Sequence, residues 1–301
     1  MAGLYVKAED KWNLPKSIWT KVGGVWRVCT NVYIREDDIW HEMIRSVDLD
    51  ISGGKDFKNL NLYEYVGSPT EPLSLIFNIP FDATIGSDGP TLPSWCPYWC
   101  ATTRTNLPKR PTAFTVGNFA TGSTVIINNN GYISGGGGYG GAGGNSFAKG
   151  PNYPNLTSGS TGGVGGDGIM KGSSNNFDIT IVNTGTIAGG GGGGGGAGSY
   201  YKTAETFGSP TATNGGSGGD GAGVTGFSRT QGGPSSSNTD RYVLSTDGGQ
   251  GGALGENGQA GQASPSPGQI ATNNGPGGKA GKAVGSDIEL AVSGTIIGTI
   301  G

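Results

Sequence analysis

The sequence predicts a protein with essentially no α-helix, in which an all-β N-terminal part is followed by a C-terminal bundle, or sandwich, of polyglycine-II helices framed by short β-strands. Glycine supplies 63 of the 301 residues. After Ser134 it recurs with a period of three, which is typical of a polyproline-II-type helix and not of an α-helix or a strand. Short apolar segments with the alternation of strands separate the glycine tracts, which argues against a flexible linker. The tracts begin at Gly135, Gly162, Gly189, Gly215, Gly248 and Gly275.

The first module, residues 1–44, is built on a repeat of fourteen residues. Each copy begins with an aromatic residue, any residue and a base, and a tryptophan follows seven residues after the aromatic. Short β-branched runs with a turn between them, as in Lys21–Trp26, predict three small hairpins. Isolated hairpins are only marginally stable, so we expect their apolar surface to be buried against another subunit or a second protein, or alternatively on the next domain. The residues expected to mediate attachment or oligomerisation are Tyr5, Trp12, Trp19, Trp26, Tyr33 and Trp40.

The second module, residues 45–116, is predicted to be a small β connector domain. Short alternating segments such as Leu60–Tyr63 and Leu73–Ile79 are interrupted by prolines and glycines, as strands are interrupted by turns. Glycine becomes much more frequent after Val116, and this change of composition places the domain boundary there. The residues expected in the interior are Ile76, Phe77, Ile79, Phe81 and Ile85.

The third module, residues 117–301, contains a duplicated unit of 54 residues, seen when Gly131 is aligned with Gly185. The same strand-like pattern returns around Gly294, and a degenerate copy is predicted at Arg241–Thr246. Each unit is then a strand, a glycine tract, a loop and a second tract. If successive tracts run antiparallel, all strands gather at one end of the bundle and all loops at the other. The predicted strands are Thr124–Ile133, Asp178–Ile187 and Asp287–Ile296.

The loops at residues 145–160, 199–213 and 264–274 carry the predicted binding surface. Aromatic residues among small polar ones form an adaptable contact surface; the alternative is that they lie flat and cap the bundle ends. The segment Val224–Asp240 is expected at the strand end, which makes Phe227, Arg229 and Tyr242 second-rank candidates. The first-rank candidates are Phe147, Lys149, Tyr153, Tyr200, Tyr201, Lys202, Phe207 and Gln269.

Composition excludes several classes of function. A net charge of −3 and an isoelectric point of about 5.2 give no basic surface for nucleic acid. No apolar run is long enough to insert into a membrane, and no signal segment opens the chain, so we expect synthesis in the cytosol. Cys96 and Cys100 are expected to be free thiols, with a local bridge as the alternative. With His41 as its only histidine, the chain is predicted to hold no metal and no cofactor.

The chain resembles the glycine-rich adhesins at the tips of bacteriophage tail fibres, including the polyglycine-sandwich adhesins of T-even-like phages. The resemblance rests on Val125–Gly144, on its second copy from Ile179, and on the apolar stretch that begins at Asn59. It implies that the loops bind an outer-membrane protein or a surface glycan, and that the chain sits at the distal tip of a virion fibre. It also implies contact with other tail-fibre or baseplate proteins through the N-terminal module; by analogy with fibres, a homotrimer is an expected assembly.

Three alternatives compete with an adhesin. One is a structural fibre component without a receptor role. Another is a calcium-binding β-roll, because Gly162–Ile169 and Gly215–Ala222 match its repeat, although the copies are not in tandem. In the interpretation preferred here, Asp167 and Asp220 instead cap backbone amides at tract ends. The third is a capsule-degrading enzyme, which is not expected because the acidic residues are scattered and no catalytic motif is present.

Overall fold

The computed structural model describes most of the chain after residue 45 and six short segments before it. The described residues are 6–8, 11–13, 19–22, 25–28, 32–36, 39–44, 46–51, 56–70, 72–87, 109–144, 146–148, 154–172, 175–202, 211–214, 221–223, 231, 236–237, 247–262, 269–292 and 294–301.

The secondary structure is almost entirely β. The elements up to residue 115 are β1 (Val6–Ala8), β2 (Lys11–Asn13), β3 (Trp19–Val22), β4 (Val25–Val28), β5 (Val32–Glu36), β6 (Ile39–Ile44), β7 (Ser46–Asp50), β8 (Asp56–Lys58), β9 (Leu60–Asn61), α1 (Leu62–Tyr65), β10 (Ser74–Ile79), β11 (Thr84–Gly86) and β12 (Phe114–Thr115). The later elements are β13 (Thr124–Asn129), β14 (Tyr132–Ser134), β15 (Ser146–Ala148), β16 (Pro154–Leu156), β17 (Ile169–Met170), β18 (Asp178–Asn183), β19 (Thr186–Ala188), β20 (Tyr200–Lys202), β21 (Thr211–Asn214), β22 (Ser236–Ser237), β23 (Gln269–Ala271), β24 (Glu289–Val292) and β25 (Thr295–Ile297).

Three antiparallel hairpins at the N-terminus agree with the fourteen-residue repeat. β1 pairs with β2, β3 with β4, and β5 with β6. All three share one register, because the base of each repeat is the backbone partner of the tryptophan that follows it. These partners are Lys7 and Trp12, Lys21 and Trp26, and Arg35 and Trp40.

From Ser46 onward the strands wind into a coil with three parallel sheets. The first sheet has the order β24-β18-β13-β10-β7, the second β25-β19-β14-β11-β8, and the third β17-β12-β9. Parallel bridges from Ile169 to Val284 and from Val284 to Ile300 continue the third sheet. Each turn of this coil, called a rung below, supplies the three sheets in sequence, so the architecture is that of a parallel β-solenoid.

The apolar core lies inside the coil because alternate strand residues point inward. In β10 the inward residues Leu75, Phe77 and Ile79 are buried. Leu75 and Phe77 pair in register with Val125 and Ile127 of β13, which are also buried. The predicted interior is therefore right for Phe77, Ile79 and Ile85, as Ile85 is also fully buried.

Two of the predicted core residues lie elsewhere. Ile76 is only half-buried, since it points to the outer face of the first sheet. Phe81 is 84% exposed, because it occupies the turn between β10 and β11 and not a strand. The apolar run alone could not distinguish an inward strand position from a corner of the coil.

Strands on the two sides of residue 116 belong to the same sheets. β10 pairs with β13 in the first sheet and β11 pairs with β14 in the second. A single core cluster of buried residues extends from Ile51 to Ile288. The predicted boundary at residue 116 therefore does not separate two cores; it marks the rung after which glycine runs are inserted.

The 54-residue duplication corresponds to two adjacent rungs. β13 pairs with β18 residue by residue, from Thr124 with Asp178 to Asn129 with Asn183. β18 then pairs directly with β24. A degenerate copy is predicted at Arg241–Thr246. Those residues themselves lie outside the described part of the chain.

Asparagine ladders run across the coil in the same register. On the outer face, Asn128 Nδ2 donates to Asn78 Oδ1 at 2.7 Å, and Asn78 Nδ2 donates to Asp50 Oδ1 at 2.8 Å. At the buried end of β13, Asn129 Nδ2 donates to Asn183 Oδ1 at 2.7 Å. Because each amide bonds the equivalent residue of the next rung, the ladders oppose slippage between rungs.

One predicted strand contains a helical turn. The alternating segment at residues 60–63 continues from β9 into α1, where the Asn61 side chain accepts a hydrogen bond from the Glu64 amide at 3.5 Å as an N-cap. In the described part of the chain, no helix has the length and apolarity needed to cross a membrane.

The glycine-rich segments form extended runs that hydrogen bond to each other. The central run, residues 189–199, is bonded to six other runs of the described chain. Gly193 illustrates the pattern: its amide donates to Gly163 at 2.9 Å, and its carbonyl accepts from Gly278 at 2.7 Å. The neighbouring runs are residues 135–144, 157–167, 221–223, 247–253, 256–262 and 272–282.

Every third residue of the central run is hydrogen bonded to the same neighbouring run. Gly190, Gly193 and Gly196 donate to the run at 157–167, with 2.9 Å for each bond. The carbonyl of Gly194, one residue further along, accepts from Gly141 at 2.7 Å in a different run. The predicted period of three is therefore the spacing at which the central run bonds to the same neighbouring run again.

The tract that begins at Gly248 is not a single run, because it folds back at Gly255. Gly255 has a φ of +68°, a conformation that glycine adopts readily. Before the reversal, Gly249 and Gly252 donate to Gly195 and Gly192, so the chain runs toward the coil. After the reversal, Gly192 donates to the Glu256 carbonyl and the chain runs away from the coil.

Replacing Gly193 by valine is expected to unfold the glycine runs. A Cβ atom at this position would overlap the carbonyl oxygen of Tyr139 in the adjacent run, and backbone cannot move aside as a side chain can. We expect Gly193→Val to lower the free energy of unfolding by about 3 kcal/mol in thermal or denaturant unfolding. Lys279→Val, at an exposed position of the run at 272–282, is the matched control and should unfold as the native chain does. Equal stability of the two variants would contradict this packing.

Candidate functional site

The glycine runs leave the coil at one sheet and return to it at another. The run at 135–144 continues β14 of the second sheet, and the run at 157–167 leads into β17 of the third. Gly135 and Gly189 begin their runs with hydrogen bonds to residues of the second sheet, Ala188 and Ile297 respectively. Since the runs start at the coil, their far ends lie away from it, and the loops connect these far ends.

Three hydroxyl-bearing residues tie the bases of the loops together. Thr157 directly follows β16, Ser199 directly precedes β20, and Thr272 directly follows β23. We call these three residues the hydroxyl junction. Ser199 Oγ donates to the Thr157 carbonyl at 2.9 Å, and Thr272 Oγ1 lies 2.9 Å from the same oxygen.

The hydroxyl junction also joins backbone to backbone. Ser199 N–H donates to Thr272 Oγ1 at 2.9 Å, and Thr272 N–H donates to the Ser199 carbonyl at 2.9 Å. Next to it, Gly198 N–H donates to Asn274 Oδ1 at 2.9 Å. Ser199 is fully buried, so its polar groups are satisfied by protein partners and not by bulk water; Thr157 is exposed and Thr272 is half-buried.

Beyond the junction the loops form a small antiparallel sheet beside a hairpin. The sheet has the order β22-β21-β20-β23, and β15 pairs with β16 in the hairpin. β15 lies beside β21, and β16 lies beside β20. Three loops that are far apart in sequence therefore meet in one place, as the antiparallel arrangement of tracts predicted.

The structure brings together four of the predicted binding residues. Tyr200, Tyr201 and Lys202 form β20, and Gln269 begins β23, where it is the backbone partner of Lys202. Phe147 lies in β15 of the adjacent hairpin. The remaining candidates, Lys149, Tyr153 and Phe207, lie outside the described residues.

The attachment candidates are distributed over the three hairpins. Trp12, Trp19, Trp26, Tyr33 and Trp40 lie in β2, β3, β4, β5 and β6 respectively. Tyr5 lies outside the described residues.

The segment Val224–Asp240 does not stay at the strand end. Its residues Ser236 and Ser237 form β22, which pairs with Thr213 and Asn214 of β21 in the loop sheet. The chain therefore returns to the loop end within this segment, which the assumed alternation of tracts did not anticipate. Phe227, Arg229 and Tyr242 lie outside the described residues.

Sequence reasoning missed the hydroxyl junction, and it placed the loop boundaries too far into the runs. Gly159 and Ser160 fall in the predicted loop at 145–160, but Ser160 N–H donates to the Ala142 carbonyl at 2.9 Å as part of a run. A signal was present, because a serine or threonine stands where three of the runs meet a loop strand, at positions 157, 199 and 272.

At the coil end of the runs, a buried carboxylate caps backbone as expected. Asp167 is almost fully buried; its Oδ1 accepts from Lys282 N–H at 2.8 Å and its Oδ2 lies 2.5 Å from Lys109 Nζ. Beside it, the Arg110 guanidinium lies 3.6 Å from the ring centroid of Tyr139. Both oxygens of Asp167 therefore contact protein donors; Asp220 lies outside the described residues.

Comparisons with known proteins give one family and one solved structure. The family whose model matches residues 47–301 is described as phage tail fibre adhesin Gp38. The crystal structure of the gp37-gp38 adhesin tip complex of the bacteriophage S16 long tail fiber is similar with a TM-score of 0.41 and 19% identity, over 86% of this chain and 83% of that chain. None of the curated proteins compared with the chain matches it.

Asp167→Ala is expected to destabilise the chain, because Lys282 N–H and the Lys109 ammonium lose a buried acceptor. The expected loss is about 1–3 kcal/mol in the free energy of unfolding, and Asp167→Asn should lose less because an amide oxygen still accepts from Lys282. Millimolar calcium should leave the melting temperature of the native chain unchanged. A calcium-dependent rise that Asp167→Ala abolishes would favour the β-roll instead.

Proposed function

Because this chain belongs to the phage tail fibre adhesin Gp38 family, we propose that it acts at the distal tip of the tail fibre, where its loops bind a receptor on the bacterial surface. The receptor is an outer-membrane protein or a surface glycan. One observation carries the proposal: three loops from separate parts of the chain meet at the end of the runs that lies away from the coil.

The frame beneath the loops is proposed to be a bundle of polyglycine-II helices. The period-three exchange of partners and the six neighbours of the central run support this assignment. With a rise of about 3.1 Å per residue in such a helix, a run of ten residues holds the loops roughly 30 Å from the coil. A frame of this kind presents the loops at a fixed distance from the apolar core.

The chemistry of the loop surface suits an adaptable contact. Tyrosines, a lysine and a glutamine lie on the adjacent strands β20 and β23. Tyrosine supplies a large contact area at low conformational entropy, and polar residues supply hydrogen bonds. Aromatic and polar groups of this kind suit both glycans and the exposed loops of a membrane protein. The binding residues in this proposal remain Phe147, Lys149, Tyr153, Tyr200, Tyr201, Lys202, Phe207 and Gln269.

The proposed mechanism is binding without chemistry. A rigid frame lowers the entropy that the loops lose on contact, and several copies on a virion would convert weak contacts into stable adsorption. The chain would be made in the host cytoplasm and assembled there into the fibre.

The N-terminal hairpins are the proposed attachment module for other tail-fibre or baseplate proteins. Each hairpin repeats the same register of base and tryptophan, so one chain offers three equivalent elements. Such an arrangement suits a partner with three equivalent surfaces; a homotrimer of this chain is the alternative.

Removing the loop strands is expected to abolish adsorption while the frame stays folded. In this variant short glycine-serine turns replace residues 146–156 and 200–214, which leaves Thr157 and Ser199 in place. Saturable binding of the purified chain to cells of a strain that the phage infects should be lost, with little change in thermal unfolding. A Gln259→Ala and Lys279→Ala double variant, changed only at exposed positions of the runs, is the control and should bind normally. Equal binding by the loop variant would assign the chain a structural role in the fibre.

Changing the hairpin tryptophans is expected to separate assembly from adsorption. The triple variant Trp12→Ala, Trp26→Ala and Trp40→Ala should be missing from purified phage particles, measured by immunodetection. Because the loops are unchanged, its binding to cells as an isolated chain should be retained. Normal incorporation into particles would show that attachment lies elsewhere.

A further inference from the structure

We infer that the hydroxyl junction couples the three loops into one binding unit, and that the Thr272 hydroxyl is its central positioning group. The coupling is a property of the chain without a bound receptor. Its effect on adsorption deepens the proposed receptor-binding function and rests on that proposal.

The position of the junction is what suggests coupling. Thr157 ends the first loop, Ser199 begins the second, and Thr272 ends the third. The bond from Ser199 to Thr157 joins residues 42 apart, and the bond from Thr272 to Thr157 joins residues 115 apart. Each tie therefore connects two different loops and stabilises no single loop on its own.

The Thr272 hydroxyl makes contact with both other members. It accepts from Ser199 N–H at 2.9 Å, and its oxygen lies 2.9 Å from the Thr157 carbonyl and 3.0 Å from the Ser199 carbonyl. A hydroxyl has one proton and can donate to one of these carbonyls at a time. If the hydroxyl is removed, Ser199 N–H loses this acceptor and the Thr157 carbonyl loses this donor, which makes the close approach of the two loops less favourable.

The consequence is that the loops are positioned together before the receptor arrives. A change that displaces one loop base is passed to the others through these bonds. Contacts made by different loops should therefore be energetically coupled, as expected for groups that share a hydrogen-bond network.

Hydrogen exchange of the full chain, followed by mass spectrometry, tests the coupling without a receptor. The variants are Thr272→Val, which keeps the shape and removes the hydroxyl, and Thr272→Ser, which keeps the hydroxyl. Thr180→Val, in β18 of the coil, is the matched control. For Thr272→Val we expect about tenfold faster exchange in β16, β20 and β23 together, with residues 189–197 of the central run unchanged. The other two variants should exchange like the native chain.

Exchange that changes only around residue 272, or Thr272→Ser behaving like Thr272→Val, would overturn the coupling. If Thr272→Val fails to fold, Ser199→Ala provides a second test, because it removes the hydroxyl that donates to the Thr157 carbonyl and keeps the Ser199 N–H and the Thr272 hydroxyl. It should loosen β16 and β20 together; an effect on β20 alone would count against the inference.

Binding of the variants to cells then distinguishes a failure of this inference from a failure of the proposed function. Thr272→Val should bind cells about tenfold more weakly, while Thr272→Ser binds normally. Phe147→Ala and Lys202→Ala should be non-additive in the native chain and additive when combined with Thr272→Val. If the native chain binds no cells, the receptor-binding proposal fails, and the exchange result still decides the coupling. If the loop variant loses binding but Thr272→Val neither binds more weakly nor exchanges faster, the coupling is wrong and the proposed function stands.

Discussion

The glycine runs, and the loops that they carry, depend on amide-to-carbonyl hydrogen bonds between neighbouring runs, which only glycine allows to come so close. One such bond contributes about 0.5–1.5 kcal/mol, and ordering a glycine costs about 0.5–1 kcal/mol more than ordering an alanine. The balance for a single residue is thus close to zero. The runs are stable only as a block with many simultaneous neighbours, anchored on a coil with a conventional apolar core around Phe77, Phe114 and Ile133.

The coil supplies what the runs lack, which is a defined register. Polyglycine has no side chains that distinguish one sliding position from another. In contrast, β14 and β19 pair through Ile133 and Ile187, and the strands before them, β13 and β18, are joined by the Asn129–Asn183 bond. The runs continue directly from these strands, so the register of the strands also fixes which residues of neighbouring runs are hydrogen bonded. The ion pair of Lys109 and Asp167 lies where the runs meet the coil. It therefore stabilises the place at which the register of the runs is fixed.

Part of this arrangement could be predicted from the sequence. The period of three, the three hairpins, the pairing of 124–129 with 178–183 and the meeting of the loops all follow from periodicity and duplication. The coil could not be predicted in the same way, because its third sheet uses strands of only two residues, such as Leu60–Asn61 and Phe114–Thr115. The reversal at Gly255 looks like every other glycine, and the hydroxyl junction consists of ordinary loop residues until their distant partners are known.

The way in which the runs are inserted between strands of the coil limits how further runs can be added to such a protein. A chain that leaves the coil at the second sheet must come back to the third, so additional runs can be accommodated only in outward and inward pairs. The rung that contains β14 carries a single pair, residues 135–144 and 157–167, whereas the longer excursion between β19 and Val284 contains several runs. New recognition surface could therefore be acquired by lengthening one excursion, while every rung of the coil keeps its partners.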